Sequence, residues 1–195
     1  FSLLLILKFE DCLFRIILKL LSLKDLFLLI VQIYSFVFFL FFHSIEYMKN
    51  TISFNTKFGW ISISEVNNLI TRIQFGKLRK IGKKTKILSK CKSSLISYLG
   101  GGKNKIYAPI KLEGNILQKK IWNILKKIPK GKTLSYGRIA KKLKVSPRYV
   151  GKVCGQNKHV LAIPCHRVIR SNGNLGGFSS IGGVSLKKKL LDFES

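Results

Sequence analysis

The chain has 195 residues and a net charge of +28, with 36 Lys and Arg against 8 Asp and Glu. A folded part of about 150 residues buries roughly 68–70% of the surface that its unfolded chain exposes, so disulfide or metal staples are unnecessary. The four cysteines are too scattered for a CxxC metal knuckle or a disulfide framework. This favours a reducing compartment, which predicts a cytoplasmic protein or, in a eukaryote, a nuclear one.

The first 47 residues differ from the rest in composition. Residues 26–42 form a run of 17 residues without a charge, at the lower limit of what spans a bilayer as a helix. Met48 is the only methionine in the sequence, and every recognisable pattern follows it. We therefore expect the working protein to begin at Met48 and residues 1–47 to be no part of it. A membrane anchor formed by residues 26–42 is the alternative.

The positive charge lies after residue 47. Residues 1–47 carry four basic and four acidic groups, so the rest of the chain holds 32 of the 36 basic groups and 4 of the 8 acidic ones. So large an excess predicts binding to a polyanion, with nucleic acid the first choice. An adaptation for solubility, or the lysine bias of an AT-rich genome, is the alternative explanation.

The segment 51–75 alternates apolar and polar residues in three short runs, with breaks at 57–59 and 67–68. This pattern predicts an antiparallel meander. The lysine-rich residues 77–92 are expected to begin as a solvated loop and to lead into a helix over about residues 90–98. Pro109 and Gly114 then mark a boundary. We assign 48–112 to a first small domain and 113–195 to a second.

The second domain is predicted to begin with helices. Apolar residues recur at helical spacing before a proline and a glycine that end the helix, namely Leu117, Ile121, Ile124, Leu125 and Ile128. Ser135 is expected to cap a helix that ends at Leu143, and Ser146 to cap another with Pro147 at its first position. Two short basic helices joined by a tight turn indicate a helix-turn-helix. An ordinary αα-hairpin with a basic face is the alternative.

The run LAIPCHRVIRSNGNLGGFS, residues 161–179, places Cys165, His166 and an arginine side by side in a stretch that is typical of a strand. A free thiol is only a few per cent thiolate at neutral pH, so a nucleophilic cysteine needs a base or a positive field nearby. Neighbouring side chains of a strand point to opposite faces, so contact between Cys165 and His166 requires a turn at Pro164 or a bridging water. Glu194, which follows His166 by 28 residues, is a candidate to hold the second imidazole nitrogen in a Cys/His/Glu relay.

Two other interpretations of this segment stay open on spacing alone. Cys165 is a small core residue in one of them, which is the usual fate of a free cysteine. In the other, Cys154, His159, Cys165 and His166 bind zinc, although their spacing matches no common structural zinc site.

Six motifs occur in the order and spacing of one known family: LQKKIWNILKKIPKGK, TLSYGRIA, SPRYVGKVCGQN, IPCHRVI, GGFS and LKKKLLDFE. With them the chain resembles the methylated-DNA-protein-cysteine S-methyltransferases, the O6-alkylguanine DNA repair proteins. The resemblance covers about residues 50–195, weakly over the first sixty or so and strongly after Leu117. It implies an α+β fold in which a small ribonuclease-H-like N-terminal domain with an antiparallel meander precedes a helical, winged helix-turn-helix catalytic domain.

The resemblance also implies a reaction. The family flips O6-alkylguanine out of duplex DNA and transfers the alkyl group irreversibly, once per molecule, to the cysteine that matches Cys165; O4-alkylthymine is a poorer substrate. His166 and a water would activate this cysteine, with Glu194 behind the histidine. Asn157 matches the asparagine that braces the active-site turn, and Tyr136 matches the tyrosine that donates a proton to the leaving guanine. Neither a cofactor nor a metal is implied.

The expected partner is double-stranded DNA, bound through the minor groove by a monomer. Arg148 matches the arginine that enters the base stack in place of the flipped base. The other expected DNA-binding residues are Ser135, Tyr136, Gly151 and Lys152, and the expected alkyl or base pocket contains Phe178, Ser179 and Val160. Two alternatives remain, namely a basic helix-turn-helix protein that binds DNA without chemistry, and a DNA-binding protein tethered to a membrane.

Overall fold

The computed structural model describes residues 30–36, 49–102 and 105–195, and the chain divides into two compact units, Phe1–Tyr47 and Met48–Ser195. In the first unit, residues 30–36 are helical. None of the helices in the described parts of the chain is long and apolar enough to cross a membrane. The remainder of the run 26–42, on which the membrane-anchor alternative rests, lies outside the described residues.

The second unit begins with the predicted meander. Its strands are β1 (Asn50–Thr56), β2 (Gly59–Val66) and β3 (Leu69–Phe75), paired antiparallel in the order β1-β2-β3. The second turn places Asn67 and Asn68 at φ of 51° and 62°. Asparagine tolerates this left-handed region better than most residues, and two such residues fit a tight hairpin. The predicted antiparallel meander is thus confirmed.

Helix α1 (Lys86–Leu99) begins earlier than the predicted residues 90–98. The side chain of Thr85 accepts a hydrogen bond from the backbone N–H of Leu88 and caps the helix at that point. One face of α1 is buried against the sheet through Leu88, Cys91, Leu95, Tyr98 and Leu99. Because this apolar spacing already starts before residue 90, only the first part of the lysine-rich stretch forms a loop.

The helices of the second half follow the sequence closely. Helix α2 (Ile116–Lys126) is capped by Asn115, and the strand β4 (Leu134–Ser135) leads into helices α3 (Tyr136–Leu143) and α4 (Pro147–Gly155). Ser135 and Ser146 each accept a backbone hydrogen bond from the third residue after them, which confirms both predicted caps. Ile128 lies beyond the end of α2, although it is buried.

The expectation of a strand around Cys165 was wrong. Residues Cys165–Arg167 form one turn of 3₁₀-helix, and only the two residues of β5 (Val168–Ile169) pair with β4, in parallel. The turn begins after Pro164, whose carbonyl accepts a hydrogen bond from the N–H of Arg167 at 3.0 Å. The segment is apolar because it is buried and not because it is extended. Helix α5 (Gly183–Glu194) completes the fold.

Two hydrophobic clusters form the core of the second unit. The first joins the sheet and α1 to residues of α5, such as Leu186 and Leu190, and the second lies among α2, α3, α4 and the Cys165 turn. The segment before Cys165 connects them, because Ile73 on β3 exchanges backbone hydrogen bonds with Lys158 (2.8 Å) and Val160 (3.0 Å). The Cys165 turn therefore lies where the two clusters meet.

Candidate active site

A pocket of about 680 Å³ lies beside the α3–α4 pair, and Cys165 is in its wall. Residues of both helices, of the Cys165 turn and of the loop that follows β5 line it. Six of the residues predicted for the site are among them: Tyr136, Arg148, Gly151, Cys165, Phe178 and Ser179. The volume is in the range of small-molecule sites, so the pocket has room for a nucleobase.

Asn157 braces the chain segment that precedes Cys165. Its amide Nδ2 donates to the carbonyl of Ile163 at 2.8 Å and to Cys165 Sγ at 3.2 Å, while Oδ1 accepts from the backbone N–H of His159 at 2.9 Å. Leu161, between them, is held at φ of 69°, a conformation that a branched side chain rarely adopts. The asparagine thus spans the loop and contacts the sulfur directly.

The thiol of Cys165 is in an apolar setting. Its residue is only 6% exposed, and burial raises its pKa, while the hydrogen bond from Asn157 and the charge of Lys187 act in the opposite direction. At neutral pH Cys165 is consequently a thiol in the resting protein. A nucleophilic role requires a base that removes its proton during the reaction.

His166 and Glu194 form a buried pair. His166 Nε2 lies 2.7 Å from Glu194 Oε1, and both side chains are 1% exposed. Burial lowers the pKa of His166 by more than Glu194 raises it. Burial raises the pKa of Glu194, but hydrogen bonds from His166, Arg167 and Tyr98 outweigh this effect and hold that pKa well below its usual range. The pair is therefore a neutral imidazole facing a carboxylate.

This pairing determines the tautomer of His166. An ionised carboxylate only accepts hydrogen bonds, so Nε2 carries the proton and Nδ1 has a free lone pair. Nδ1 is buried and has no hydrogen-bond partner within the described parts of the chain. The predicted link between His166 and Glu194 is present. The predicted turn at Pro164 is present, but a direct hydrogen bond from Cys165 to His166 is not found among the described residues. The bridging water is the other route that was predicted.

Arg167 is part of the same cluster and was not singled out from the sequence. Its Nε donates to Glu194 Oε2 at 2.7 Å and its Nη2 to Oε1 at 3.0 Å, a bidentate pair, while Nη1 donates to the carbonyl of Ile128 at 2.5 Å. This charge-assisted contact ties the Cys165 turn to the end of α5. Tyr98 on α1 also donates to Glu194. The sequence offers no local signal for Tyr98, because it lies 96 residues before Glu194.

Lys187 is the second residue that the sequence reasoning missed. It is fully buried, and its ammonium donates to the carbonyls of Val168 (2.6 Å), Leu175 and Gly177 (3.3 Å). It holds the loop after β5 and places a positive charge that lowers the pKa of Cys165. Helical spacing was an available signal, because Lys187 precedes Glu194 by two turns and shares its buried face. Lys187 is followed directly by two exposed lysines, so the run of three resembles a solvated stretch of a helix.

Tyr136 extends into the pocket wall at the start of α3. Burial raises its pKa to about 12, so the phenol keeps its proton at neutral pH and is available as a donor. Lys187 Nζ is 3.5 Å from its hydroxyl. Gly176, at φ of 70°, packs against the ring so closely that a Cβ would lie 3.0 Å from it. A larger residue in place of Gly176 would therefore crowd the Tyr136 ring.

The other predicted residues are placed as follows. Arg148 and Lys152 are exposed on α4, Ser135 uses its hydroxyl to cap α3, and a Cβ on Gly151 would make only an ordinary 3.9 Å contact with Tyr136. The pocket assignment of Val160 is corrected, since this residue is buried in the first core cluster and does not line the pocket. Its backbone pairs with β3, which directs the side chain into that core.

The zinc interpretation finds no support. Within the described residues, no group of three or more His, Cys, Asp and Glu side chains could hold a metal ion. Cys154 does line the pocket with Cys165, and burial raises its pKa to about 12, so it is a thiol at neutral pH in the metal-free protein.

A buried cysteine that is held by an asparagine, with a histidine and a carboxylate behind it, has the arrangement of a cysteine nucleophile site. Residues 116–195, which contain all of these groups, match the family model described as 6-O-methylguanine DNA methyltransferase, DNA binding domain. The family resemblance predicted from the motifs is confirmed by this match over residues 116–195.

Curated relatives carry the name methylated-DNA–protein-cysteine methyltransferase. The protein of Methanothermobacter thermautotrophicus is 46% identical over 77 residues, which are 40% of this chain and 43% of the relative. The inducible protein of Bacillus subtilis is 38% identical over 102 residues, which are 51% of this chain and 56% of the relative. The chain thus spans about half the length of these curated relatives.

Solved structures share the mixed helix and sheet fold. The Mycobacterium tuberculosis O6-methylguanine methyltransferase matches with a TM-score of 0.66 and 27% identity over 75% of this chain and 93% of that chain. The structure of Mycobacterium tuberculosis OGT in complex with DNA matches with a TM-score of 0.65 and 27% identity over 74% of this chain and 92% of that chain. The similarity therefore extends over both core clusters, beyond residues 116–195.

Proposed function

We propose that this protein repairs duplex DNA by irreversible transfer of the alkyl group of O6-alkylguanine to Cys165, with O4-alkylthymine as a poorer substrate. It acts as a monomer without a cofactor, in the manner of a methylated-DNA-protein-cysteine S-methyltransferase. The sheet half, which consists of β1, β2, β3 and α1, corresponds to a ribonuclease-H-like domain. The α3–α4 pair corresponds to the helix-turn-helix of a winged domain. The observation that carries the proposal is a thiol, braced by Asn157, in the wall of a pocket beside a basic helix pair.

The position of the thiol requires base flipping. Cys165 is 6% exposed and lies in the wall of the pocket, whereas O6 of a stacked guanine faces the major groove inside the duplex. The alkylated base must therefore leave the stack and enter the pocket. Arg148 is exposed near the start of α4 and lines the pocket, which supports the proposal that it fills the gap in the stack.

The transfer step is a displacement at the alkyl carbon. The sulfur of Cys165 forms the S–C bond as the bond between the carbon and O6 breaks, and the thiol proton passes through a water to Nδ1 of His166. Glu194 stabilises the imidazolium that results. Tyr136 donates a proton to the departing guanine, which otherwise would leave as an anion, and the imidazolium then gives up its proton through solvent as the phenolate of Tyr136 is reprotonated. The thioether product resists hydrolysis, so each molecule reacts once.

The field at the sulfur supports this displacement. Lys187 is a buried cation that favours the thiolate, and the amide of Asn157 donates to the sulfur. Both groups are fixed before substrate arrives, because Lys187 is held by backbone carbonyls and Asn157 by its own loop. Such preorganised charge acts more strongly in a buried site than in bulk water.

Intact-protein mass spectrometry of the full chain with a duplex that carries one O6-methylguanine tests the proposal. We expect a stoichiometric gain of one methylene unit on the peptide that contains Cys165, and no gain in Cys165→Ser or with unmodified duplex. The peptides of Cys91 and Cys154 serve as internal controls. A folded sample that binds duplex without any mass change would instead identify the chain as a DNA-binding protein without this chemistry.

A further inference from the structure

The carboxylate of Glu194 is shared by residues from distant parts of the chain. Oε1 accepts from His166 Nε2 (2.7 Å), from Arg167 Nη2 (3.0 Å) and from the hydroxyl of Tyr98, and Oε2 accepts from Arg167 Nε (2.7 Å). Tyr98 lies on α1, which precedes the residues 116–195 that match the family domain. A residue of the sheet half is thus bonded to the carboxylate behind the candidate base.

The direction of the hydrogen bond from Tyr98 follows from its neighbours. Tyr98 is 1% exposed, and its oxygen accepts from Arg167 Nη2 at 2.9 Å. An ionised carboxylate cannot donate, so the single phenolic proton points to Glu194. Burial and the nearby Glu194 raise the pKa of Tyr98, so this proton stays on the phenol at neutral pH.

We propose that Tyr98 is a positioning residue of the alkyl-transfer site, whose hydroxyl holds Oε1 of Glu194 against His166 and withdraws negative charge from that oxygen. The sheet half thereby limits how strongly Glu194 attracts the imidazole proton. The kinetic part of this inference rests on the proposed function, whereas the coupling of Tyr98 to His166 does not.

Removal of the hydroxyl breaks two hydrogen bonds, the one that Tyr98 donates to Glu194 and the one that it accepts from Arg167 Nη2, and it leaves the charged groups in place. The charged groups that face the cluster are Arg167 on the 3₁₀ turn, Lys187 on α5, whose charge acts on His166, and Lys130, whose ammonium is 5.5 Å from the Tyr98 ring centroid. All three remain in Tyr98→Phe. The phenyl ring also keeps the edge-to-face contact with Phe193, at 6.4 Å between centroids.

The sign of the effect can be derived. Without the phenolic donor, Oε1 concentrates more negative charge toward His166 Nε2, so the protonated imidazole is better stabilised. We therefore expect the pKa of His166 to rise by about half a pH unit or more in Tyr98→Phe. The fall in alkyl-transfer rate on the acid side, where His166 is protonated and no longer a base, then begins at higher pH.

The direct test is an NMR titration of the His166 ring nitrogens in the full-length protein, with His166→Gln to assign the signals. Tyr98→Phe is compared with Tyr107→Phe, a tyrosine that is 48% exposed and outside the cluster. We expect an upward shift only in Tyr98→Phe. Replacement of Tyr98 by 3,5-difluorotyrosine, a stronger donor, is expected to shift the titration downward, and it keeps the test decisive if the phenylalanine variant folds poorly.

The kinetic test is the pH profile of methyl transfer to Cys165 for the same variants, with its acid limb moving in the same direction. A Tyr98→Phe protein that loses thermal stability while the titration of His166 and the acid limb stay unchanged would overturn the inference. If the wild-type protein transfers no alkyl group but the His166 signals still shift, the proposed function fails and the Tyr98 coupling stands.

Discussion

Two buried carboxylates show how differently the two halves of unit Met48–Ser195 use polar groups. Among the described residues, Glu65 on β2 of the sheet half accepts only from neutral donors: Asn50 Nδ2 (3.2 Å), Thr85 Oγ1 (3.0 Å) and the N–H of Asn68 (2.8 Å). These donors lie at a strand start, a helix cap and a hairpin turn. Glu65 therefore joins three local structures and has no titratable neighbour among its partners.

Glu194 has partners of another kind. It is bonded to a cationic arginine, a titratable histidine and a tyrosine, and the histidine has a buried nitrogen without a partner in the described parts of the chain. A buried polar cluster that leaves one group unsatisfied is costly, and such a cost is typical of functional sites. The comparison indicates a structural role for Glu65, whereas the partners of Glu194 fit the chemical role that the proposed function gives it.

The largest expected effect is that of neutralising each carboxylate. Glu194→Gln leaves Arg167 buried without its counter-charge, and we expect a loss of about 3–5 kcal/mol in the free energy of unfolding. Glu65→Gln loses hydrogen bonds to neutral donors only and should cost about 1–2 kcal/mol. Urea unfolding of the full chain measures both. Equal losses would remove the distinction drawn between the two carboxylates.

Lys187 offers the second test, because it is a buried cation on the same helix as two exposed lysines. Lys187→Met leaves the carbonyls of Val168, Leu175 and Gly177 without their donor, which should cost about 2–3 kcal/mol of stability. Loss of the positive charge also raises the pKa of Cys165 further, so we expect methyl transfer to slow by about tenfold or more. Lys188→Met is the matched control, with stability and rate close to the wild type.

The parts of this fold that sequence could predict are those set by local patterns. The alternation of apolar and polar residues predicted the meander, and Ser135 and Ser146 predicted the caps of α3 and α4. These features could be predicted because each depends on residues within one turn or hairpin. The resemblance identified Cys165 and Glu194, whose motifs lie within one domain. The turn at Cys165 was mistaken for a strand, since a buried turn and a buried strand are both apolar.

Tyr98 left no local signal in the sequence, whereas Lys187 left only its helical spacing from Glu194. Tyr98 precedes Glu194 by 96 residues, and only the packing of α1 against α5 brings them together. Lys187 lies within a run of three lysines, and burial of one of them depends on the carbonyls of a loop that local sequence does not define. Long-range hydrogen bonds are set by tertiary packing and leave no pattern in a single sequence.

His159, at the junction of the halves, provides a pH-dependent test. Burial lowers its pKa from 6.5 to about 4, so the unfolded chain binds a proton on this residue more readily than the folded one. Stability should thus fall as the pH decreases from about 6.5 to 4, by about 3 kcal/mol from this group, at 1.36 kcal/mol per pKa unit. Urea unfolding across this range should show a shallower slope for His159→Val. An unchanged slope would assign the loss to other groups.

The smallest effect compares surface charge in the two halves. Lys152, exposed on α4 beside the pocket lining, is expected to contact a phosphate, whereas Lys84, exposed before α1, is expected to remain in solvent. For Lys152→Ala, the slope of log K against log salt for duplex binding should decrease by about one, because one fewer counterion is released. Lys84→Ala should leave the slope unchanged. Equal slopes in both variants would mean that the sheet half shares the DNA surface, and charge alone would then no longer separate the two halves.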